Sequence, residues 1–440
     1  MSQGKDEGKL EDLYLITLRN GPFAHESFSP SEDLLNFLWN ECKVLVVGAG
    51  GLGCELLKDL ALSGFRNIEV IDLDVVDVTN LNRQFLFRQQ DVGKPKAEVA
   101  AAFIAKRISG INIKGHHANI YDQPREFYKQ FNLVVAGLDS IDARRWLNET
   151  LIDLVETNDD GTIDVSTVIP LIDGGTEGFR GQARVIIPKM SACFECNLDL
   201  FPPQISYPLC TIANTPRLPE HCIEYASVIL WPQQQPFGAG TKVDGDNPEH
   251  VKWIFERAQE RASQFHIQGV TYRLSQGVIK HIIPAVASTN AIVAASCANE
   301  AFKLATYIAN PLNNYMLYNG ESGVYTYAFE TERREECPAC GRAQPKKICV
   351  SPKWTLADLI EVLREDTELR VKSPSLTVSS RALYYSSPAS LEQATKENLP
   401  QSLDCLLEEG CEIFLTDPAL PLGRKLQIFF HKCSKKNKCG

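Results

Sequence analysis

The stretch Lys43–Asp72 constrains the fold more than any other. A β-branched apolar run, Lys43 to Val47, meets Gly48-Ala-Gly-Gly-Leu-Gly53; a helical pattern from Leu52 to Leu62 stops at Ser63-Gly64, and a second apolar run covers Asn67 to Asp72. Strand, glycine turn, helix and strand in that order open a doubly wound parallel sheet. Gly48, Gly50, Gly51 and Gly53 permit a tight turn and close backbone approach, and the following helix N-terminus offers unpaired N–H groups and a positive dipole to a phosphate. Asp72 ends the second strand, where a carboxylate can accept from ribose hydroxyls.

A dehydrogenase holding a dinucleotide is the first reading of such a motif. The residues after Asp72 argue for triphosphate chemistry. Asn80, Arg83 and Lys96 bring two cations and an amide close behind the acid. Hydride transfer has no need of them, whereas attack on a triphosphate develops charge on phosphate oxygens. Asp139, after the apolar run Leu133–Leu138, can hold Mg2+. Surface salt bridges and helix caps are the bland alternative for the same residue types.

The rest of the chain divides by composition. Residues 1–30 are polar and predict a loosely held segment. Residues 31–203 carry the nucleotide-fold pattern, with further helices over Ala97–Arg107 and Arg144–Glu156 and strands over Pro170–Gly175 and Ala183–Ile187. Prolines crowd in after Phe201, and 204–284 reads as a mostly helical insertion. Residues 285–345 return as a long apolar helix, Ala285–Tyr307, and a tyrosine-rich hairpin over Tyr315–Phe329. Residues 346–440 have the rhythm of a small β-grasp module: strands at Lys347–Ser351, Leu369–Lys372, Ala382–Tyr385 and Leu426–His431 around a helix at Thr355–Glu365.

Of the 440 residues 45 are basic and 55 acidic, a net charge of -10, which disfavours a phosphate-backbone partner. The polar start lacks the apolar core of an export signal, and the most apolar stretch, Val278–Ala309, is interrupted by charges and Pro284. The expectation is a cytoplasmic or nuclear protein without a membrane span. In a reducing compartment the 14 cysteines are core thiols, metal ligands or a nucleophile.

Cys193-Phe-Glu-Cys196 and Cys337-Pro-Ala-Cys340 each present two thiolates from a tight knuckle, and together they complete a tetrahedral Zn2+ site; buried thiols or redox pairs are the alternative. Cys54 and Cys297 lie on apolar helical patterns and read as inert. Cys210, between Pro208 and Pro216 in a stretch without regular period, suits a thiol that accepts an acyl group. Cys222, at the start of an apolar helical run, remains the alternative nucleophile on residues alone.

GAGGLGCELLKDLALSGF, Asp72, NLNRQFLF, VGKPKAE and GLDS resemble the adenylation domain of the ubiquitin-like-protein activating enzymes and their bacterial sulfur-carrier relatives. PLIDGGTEGFRGQARVIIP, CFEC, YPLCTIANTPRLPEHCIEYA and CPAC are similar, in order and spacing, to the catalytic subunits of the neddylation branch, from about Gly21 onward. The resemblance implies a Rossmann-like α/β adenylation domain with a catalytic-cysteine insertion and a C-terminal ubiquitin-like domain. It implies ATP, with Asp72 at the ribose, Asn80, Arg83 and Lys96 at the phosphates, Gln84 as a weaker candidate and Mg2+ on Asp139, and it implies Zn2+ on the four knuckle cysteines. The family adenylates the C-terminal glycine of a ubiquitin-like modifier, captures it as a thioester and passes it to a conjugating enzyme. Its cysteine-threonine motif, followed by proline-arginine, falls on Cys210, Thr211, Pro216 and Arg217. A second subunit is expected, because this chain carries one Rossmann-like half. Arg184 falls near the path of the modifier's tail, where it would repel an arginine-bearing tail. A noncatalytic scaffold and a nicotinamide-dependent dehydrogenase are the rival readings.

Overall fold

The computed structural model describes residues 11–22, 24–201, 214–238, 240–241, 243–245, 247–279, 285–341, 345–369, 371–378, 381–386, 389–417, 420 and 423–430. The chain separates into two compact units, residues 1–200 with 285–440, and residues 201–284. In the first, an eight-stranded sheet runs β3-β2-β1-β4-β5-β6-β7-β8. Its strands are β1 (Lys43–Val47), β2 (Asn67–Asp72), β3 (Asn112–His117), β4 (Leu133–Ala136), β5 (Leu171–Glu177), β6 (Arg180–Ile186), β7 (Tyr315–Asn319) and β8 (Tyr325–Phe329). β3 through β5 pair in parallel, and β5 through β8 are antiparallel.

The local causes are visible in the residues. The run of β1 is buried from Val44 to Val47, as expected of a strand covered on both faces. Helix α1 (Gly51–Leu62) turns Leu56, Leu57 and Leu60 into the core, and Gly64, at φ +99°, lets the chain leave it. Helix α2 (Lys96–Arg107) precedes β3 and helix α3 (Ile141–Asp153) precedes β5. Ser140 caps α3 by accepting from the Ala143 N–H. The polar strand β3, Asn112-Ile-Lys-Gly-His-His117, carries no apolar run and the sequence reading did not find it. It lies at the sheet edge, where pairing with β2 suffices.

A second sheet, β11-β10-β12-β13-β9, forms the C-terminal module. Its strands are β9 (Lys346–Val350), β10 (Ser375–Val378), β11 (Arg381–Tyr384), β12 (Glu412–Thr416) and β13 (Arg424–Phe430). One correction concerns Leu369–Lys372, expected as a strand. Among the described residues it forms none; the N–H groups of Lys372 and Ser373 donate to the Asp417 carboxylate at 2.8 and 2.6 Å. Leu369 and Val371 are buried, so the alternation was real but served anchoring. β10 and β12, which pair with each other, were both missed.

The unit 201–284 contains helices α4 (Pro219–Glu224), α5 (Pro248–Gln264) and α6 (Tyr272–Ile279), packed around Cys222, Ile223, Trp231, Ile254 and Ala258. The chain then enters α7 (Ala287–Thr306), which packs against α1, β5 and β6. In the C-terminal module, α8 (Leu356–Glu365) starts at a Thr355–Asp358 capping box. No described helix is long and apolar enough to cross a membrane.

Candidate functional site

The glycine turn is shaped by what cannot fit. A Cβ on Gly53 would lie 2.0 Å from the Gly48 carbonyl oxygen, and one on Gly48 (φ +96°) would lie 2.9 Å from the Gly137 carbonyl. The turn after β1 therefore packs on the turn after β4 with no side chain between them. Gly50, by contrast, faces open space apart from Gln84 Nε2 at 3.9 Å. Backbone N–H groups at the α1 N-terminus are thus left accessible to an anion.

Asp72 closes the turn from β2. Its carboxylate accepts from the Ala49 N–H at 2.6 Å and from the Asp74 N–H at 2.7 Å. Burial pushes its pKa up, and those two N–H groups pull against the rise. Two oxygens offer about four lone-pair sites, so accepting capacity is left for a sugar hydroxyl.

Arg83 and Gln84 come to the same turn from the segment after β2. Arg83 Cγ and Gln84 Nε2 are neighbours of the Cβ positions of Gly51 and Gly50. Gln84 is 3% exposed and its Oε1 has no hydrogen-bond partner. A buried amide left unsatisfied beside a phosphate turn fits a site built to receive a polar ligand. Asn80 is buried and its Oδ1 is committed to the Asp77 N–H. Lys96, 7% exposed at the start of α2, reaches Asp74 at 2.7 Å, which holds its charge near Asp72. Asp139 is exposed, two residues after the Gly137 that contacts Gly48.

The sequence reading missed Arg144. Its guanidinium, 7% exposed, donates to the carbonyls of Leu138 and Gly174 and pairs with Asp173 at 3.2 Å. It ties the Asp139 turn to β5. The signal available was an arginine four residues after a helix cap, too common to single out.

Arg184 is the residue whose setting departs most from expectation. It is 1% exposed on β6, pairs with Asp173 at 3.3 Å, and stacks on Phe194 and Tyr315 at 4.7 and 4.9 Å. It sits in the interior, paired with an acid, rather than open to a passing tail. Burial pushes its pKa down and Asp173 opposes this.

The two C-x-x-C pairs meet. Cys193 and Cys337 lie 3.6 Å apart and Cys196 and Cys340 lie 3.5 Å apart, although 144 residues separate the members of each contact. All four are buried, with their Sγ atoms within 4.8 Å of one another. Tetrahedral Zn2+ with Zn–S of ~2.3 Å has S···S edges of ~3.8 Å, so the cluster is close to ligand geometry. Glu195, between Cys193 and Cys196, is fully buried and paired with Arg145 of α3 at 2.5 Å; it also accepts from the Gly423 N–H at 3.2 Å.

Cys210 and Thr211 lie outside the described residues. Burial pushes the thiols of Cys42 and Cys54 up to about 12, and raises Cys222 and Cys297 as well, which disfavours thiolate at all four. Cys222 is fully buried in α4. Pro216 and Arg217 precede α4, and the Arg217 N–H donates to His221 Nδ1 at 3.1 Å.

Comparison with known proteins gives two family matches: the ThiF family over residues 32–339 and an E2 binding domain over residues 349–430. A "Nedd8-activating enzyme E1 catalytic subunit" of Drosophila melanogaster is 54% identical, covering 96% of this chain and 94% of its own length. The NEDD8-activating enzyme E1 catalytic subunit of Dictyostelium discoideum is 54% identical over 94% and 95%, and that of Caenorhabditis elegans 52% over 94% and 95%.

Proposed function

The chain belongs to the ThiF family, alongside the catalytic subunits of NEDD8-activating enzymes, and on that premise we propose the following division of labour among its residues. It is an ATP-dependent activating enzyme. The modifier's C-terminal carboxylate attacks the α-phosphorus of ATP, the bond to pyrophosphate breaks, and an acyl adenylate forms. The thiolate of Cys210 then attacks the acyl carbon, AMP leaves, and the thioester passes to a thiol of a conjugating enzyme. A thioester retains much of the activation and exchanges readily with another thiol.

The observation that carries this reading is the glycine turn with Asp72 hydrogen-bonded across it and Arg83 and Gln84 beside it. Asp72 takes the ribose. Asn80, Arg83 and Lys96 hold phosphate oxygens, where developing charge is stabilised by fixed cations and donors. Asp139 would hold Mg2+, which neutralises phosphate charge when bound. Gln84 supplies an amide to the same ligand. The Cys193, Cys196, Cys337 and Cys340 cluster would hold Zn2+ as a structural ion, joining the chain before and after the 201–284 unit.

The C-terminal module binds the conjugating enzyme; the E2 binding domain match supports that role. The words "catalytic subunit" in the relatives' names support a regulatory partner that completes the enzyme. The modifier is the NEDD8 type, in a cytoplasmic or nuclear setting. Arg144, Arg184 and Asp173 together carry an excess positive charge in the interior, so Arg184 disfavours an arginine-bearing tail through its field rather than by contact.

Cys210→Ala is expected to keep modifier-dependent ATP–pyrophosphate exchange and to lose the thioester on a nonreducing gel. Asp139→Ala is expected to lose both. Full thioester yield from Cys210→Ala would move the nucleophile elsewhere.

A further inference from the structure

One polar side chain at the glycine turn comes from neither β2 nor the segment behind it. Asn290 lies in the first turn of α7, 3% exposed. Its Oδ1 accepts from the Thr176 hydroxyl of β5 at 2.7 Å, which fixes the amide plane. Its Nδ2 then points to the turn: a Cβ on Gly51 would lie 2.5 Å from it and 3.6 Å from Arg83 Cγ. Among the described residues no acceptor takes Nδ2. The missing side chain at Gly51 is what leaves room for this amide.

We propose that Asn290, oriented by Thr176, donates from Nδ2 to the modifier's C-terminal carboxylate and holds it for attack on the α-phosphorus. The assignment rests on the adenylation reading above. The phosphate charge has its own cations in Arg83 and Lys96. A cation on the attacking carboxylate would withdraw charge from the nucleophilic oxygen, whereas a neutral amide holds it with a weaker bond. As one carboxylate oxygen bonds to phosphorus and the pyrophosphate oxygen leaves with the electron pair, the other oxygen keeps its hydrogen bond. No proton moves at Asn290. Positioning of this kind acts on the bound state, so its loss appears in kcat.

The experiment is modifier-dependent ATP–pyrophosphate exchange by the enzyme with its partner subunit, titrating ATP and modifier separately. Asn290→Ala is expected to lower kcat about 10²-fold while KM for ATP stays within about twofold. Asn290→Asp is expected to lose more, because a carboxylate then faces a carboxylate. Thr176→Val, which frees the amide but keeps it, is expected to lower kcat severalfold with an unchanged melting temperature. An unaltered kcat in folded Asn290→Ala overturns the proposal, as does a loss confined to KM for ATP. Should Asn290→Ala fail to fold, an unaltered kcat in Thr176→Val overturns it. Absence of exchange in the unmutated enzyme would instead sink the adenylation reading itself.

Discussion

The glycine turn and the four-cysteine knuckle treat polar groups in opposite ways. At the turn, N–H groups, the Gln84 amide and the Arg83 side chain face a space that side chains are kept out of. At the knuckle, polar side chains are turned on one another: four thiols within 4.8 Å of one another, Glu195 on Arg145, and the half-buried Glu149 accepting from Thr377 at 3.4 Å. The open region is made largely of backbone, so it tolerates change wherever a Cβ has room. The sealed region is made of side-chain atoms, and loss of any one leaves its partners buried and unsatisfied. A binding site needs the first design and a structural joint the second.

The largest test of the contrast is removal of one sulfur. Cys193→Ser or Cys340→Ser is expected to drop zinc from about one per chain to near none by elemental analysis, with insoluble or unfolded protein, since structural zinc contributes ~10 kcal/mol of apparent folding energy. Soluble, metal-free protein with unaltered melting would show that the knuckle needs no ion.

The next compares two glycines of one turn. Gly53→Ala puts a Cβ 2.0 Å from a backbone oxygen, and is expected to cost about 1–3 kcal/mol and to abolish nucleotide binding by calorimetry. Gly50→Ala has its nearest neighbour at 3.9 Å and is expected to leave the melting temperature unchanged. Equal destabilisation by both would break the claim that the turn is open at Gly50.

A smaller effect is expected from pH at the sealed region. Burial holds the Glu149 pKa well above the usual carboxylate range; Asp153 and Glu195 add to this, and Lys425 and Arg145 oppose it. Between the unfolded and the raised folded pKa the native state binds more protons, so this group's contribution to stability falls as pH rises. Glu149→Gln is therefore expected to raise the melting temperature at pH 8 by about 3 °C and to change little at pH 5. An identical shift at both pH values would rule out titration.

The smallest expected change is in selectivity. Arg184→Gln is expected to raise thioester formation with ubiquitin relative to the NEDD8-type modifier, while charging of the latter changes little. An unchanged ratio would leave Arg184 as a structural cation, bound to Asp173 and stacked on two rings.

By itself the sequence determined what short-range chemistry dictates. The run Lys43–Val47, the glycines to Gly53 and the acid at Asp72 lie within one β–α–β unit, so spacing alone located that turn. The two C-x-x-C pairs were legible as knuckles for the same reason. Tertiary structure decided which distant residues share a site. The polar β3 is a strand because β2 offers it an edge, whereas at Leu369–Lys372 the Leu369 N–H donates to Asp366 and the Lys372 N–H to Asp417. Arg184 sits in the interior because Asp173 on the neighbouring strand neutralises it at 3.3 Å. Asn290 reaches Gly51 only because α7 packs on α1 and β5. Such contacts join residues from 11 positions apart, as Arg184 and Asp173 are, to well over 200, as Gly51 and Asn290 are, and a hydrogen bond or ion pair leaves no periodicity in the chain that makes it.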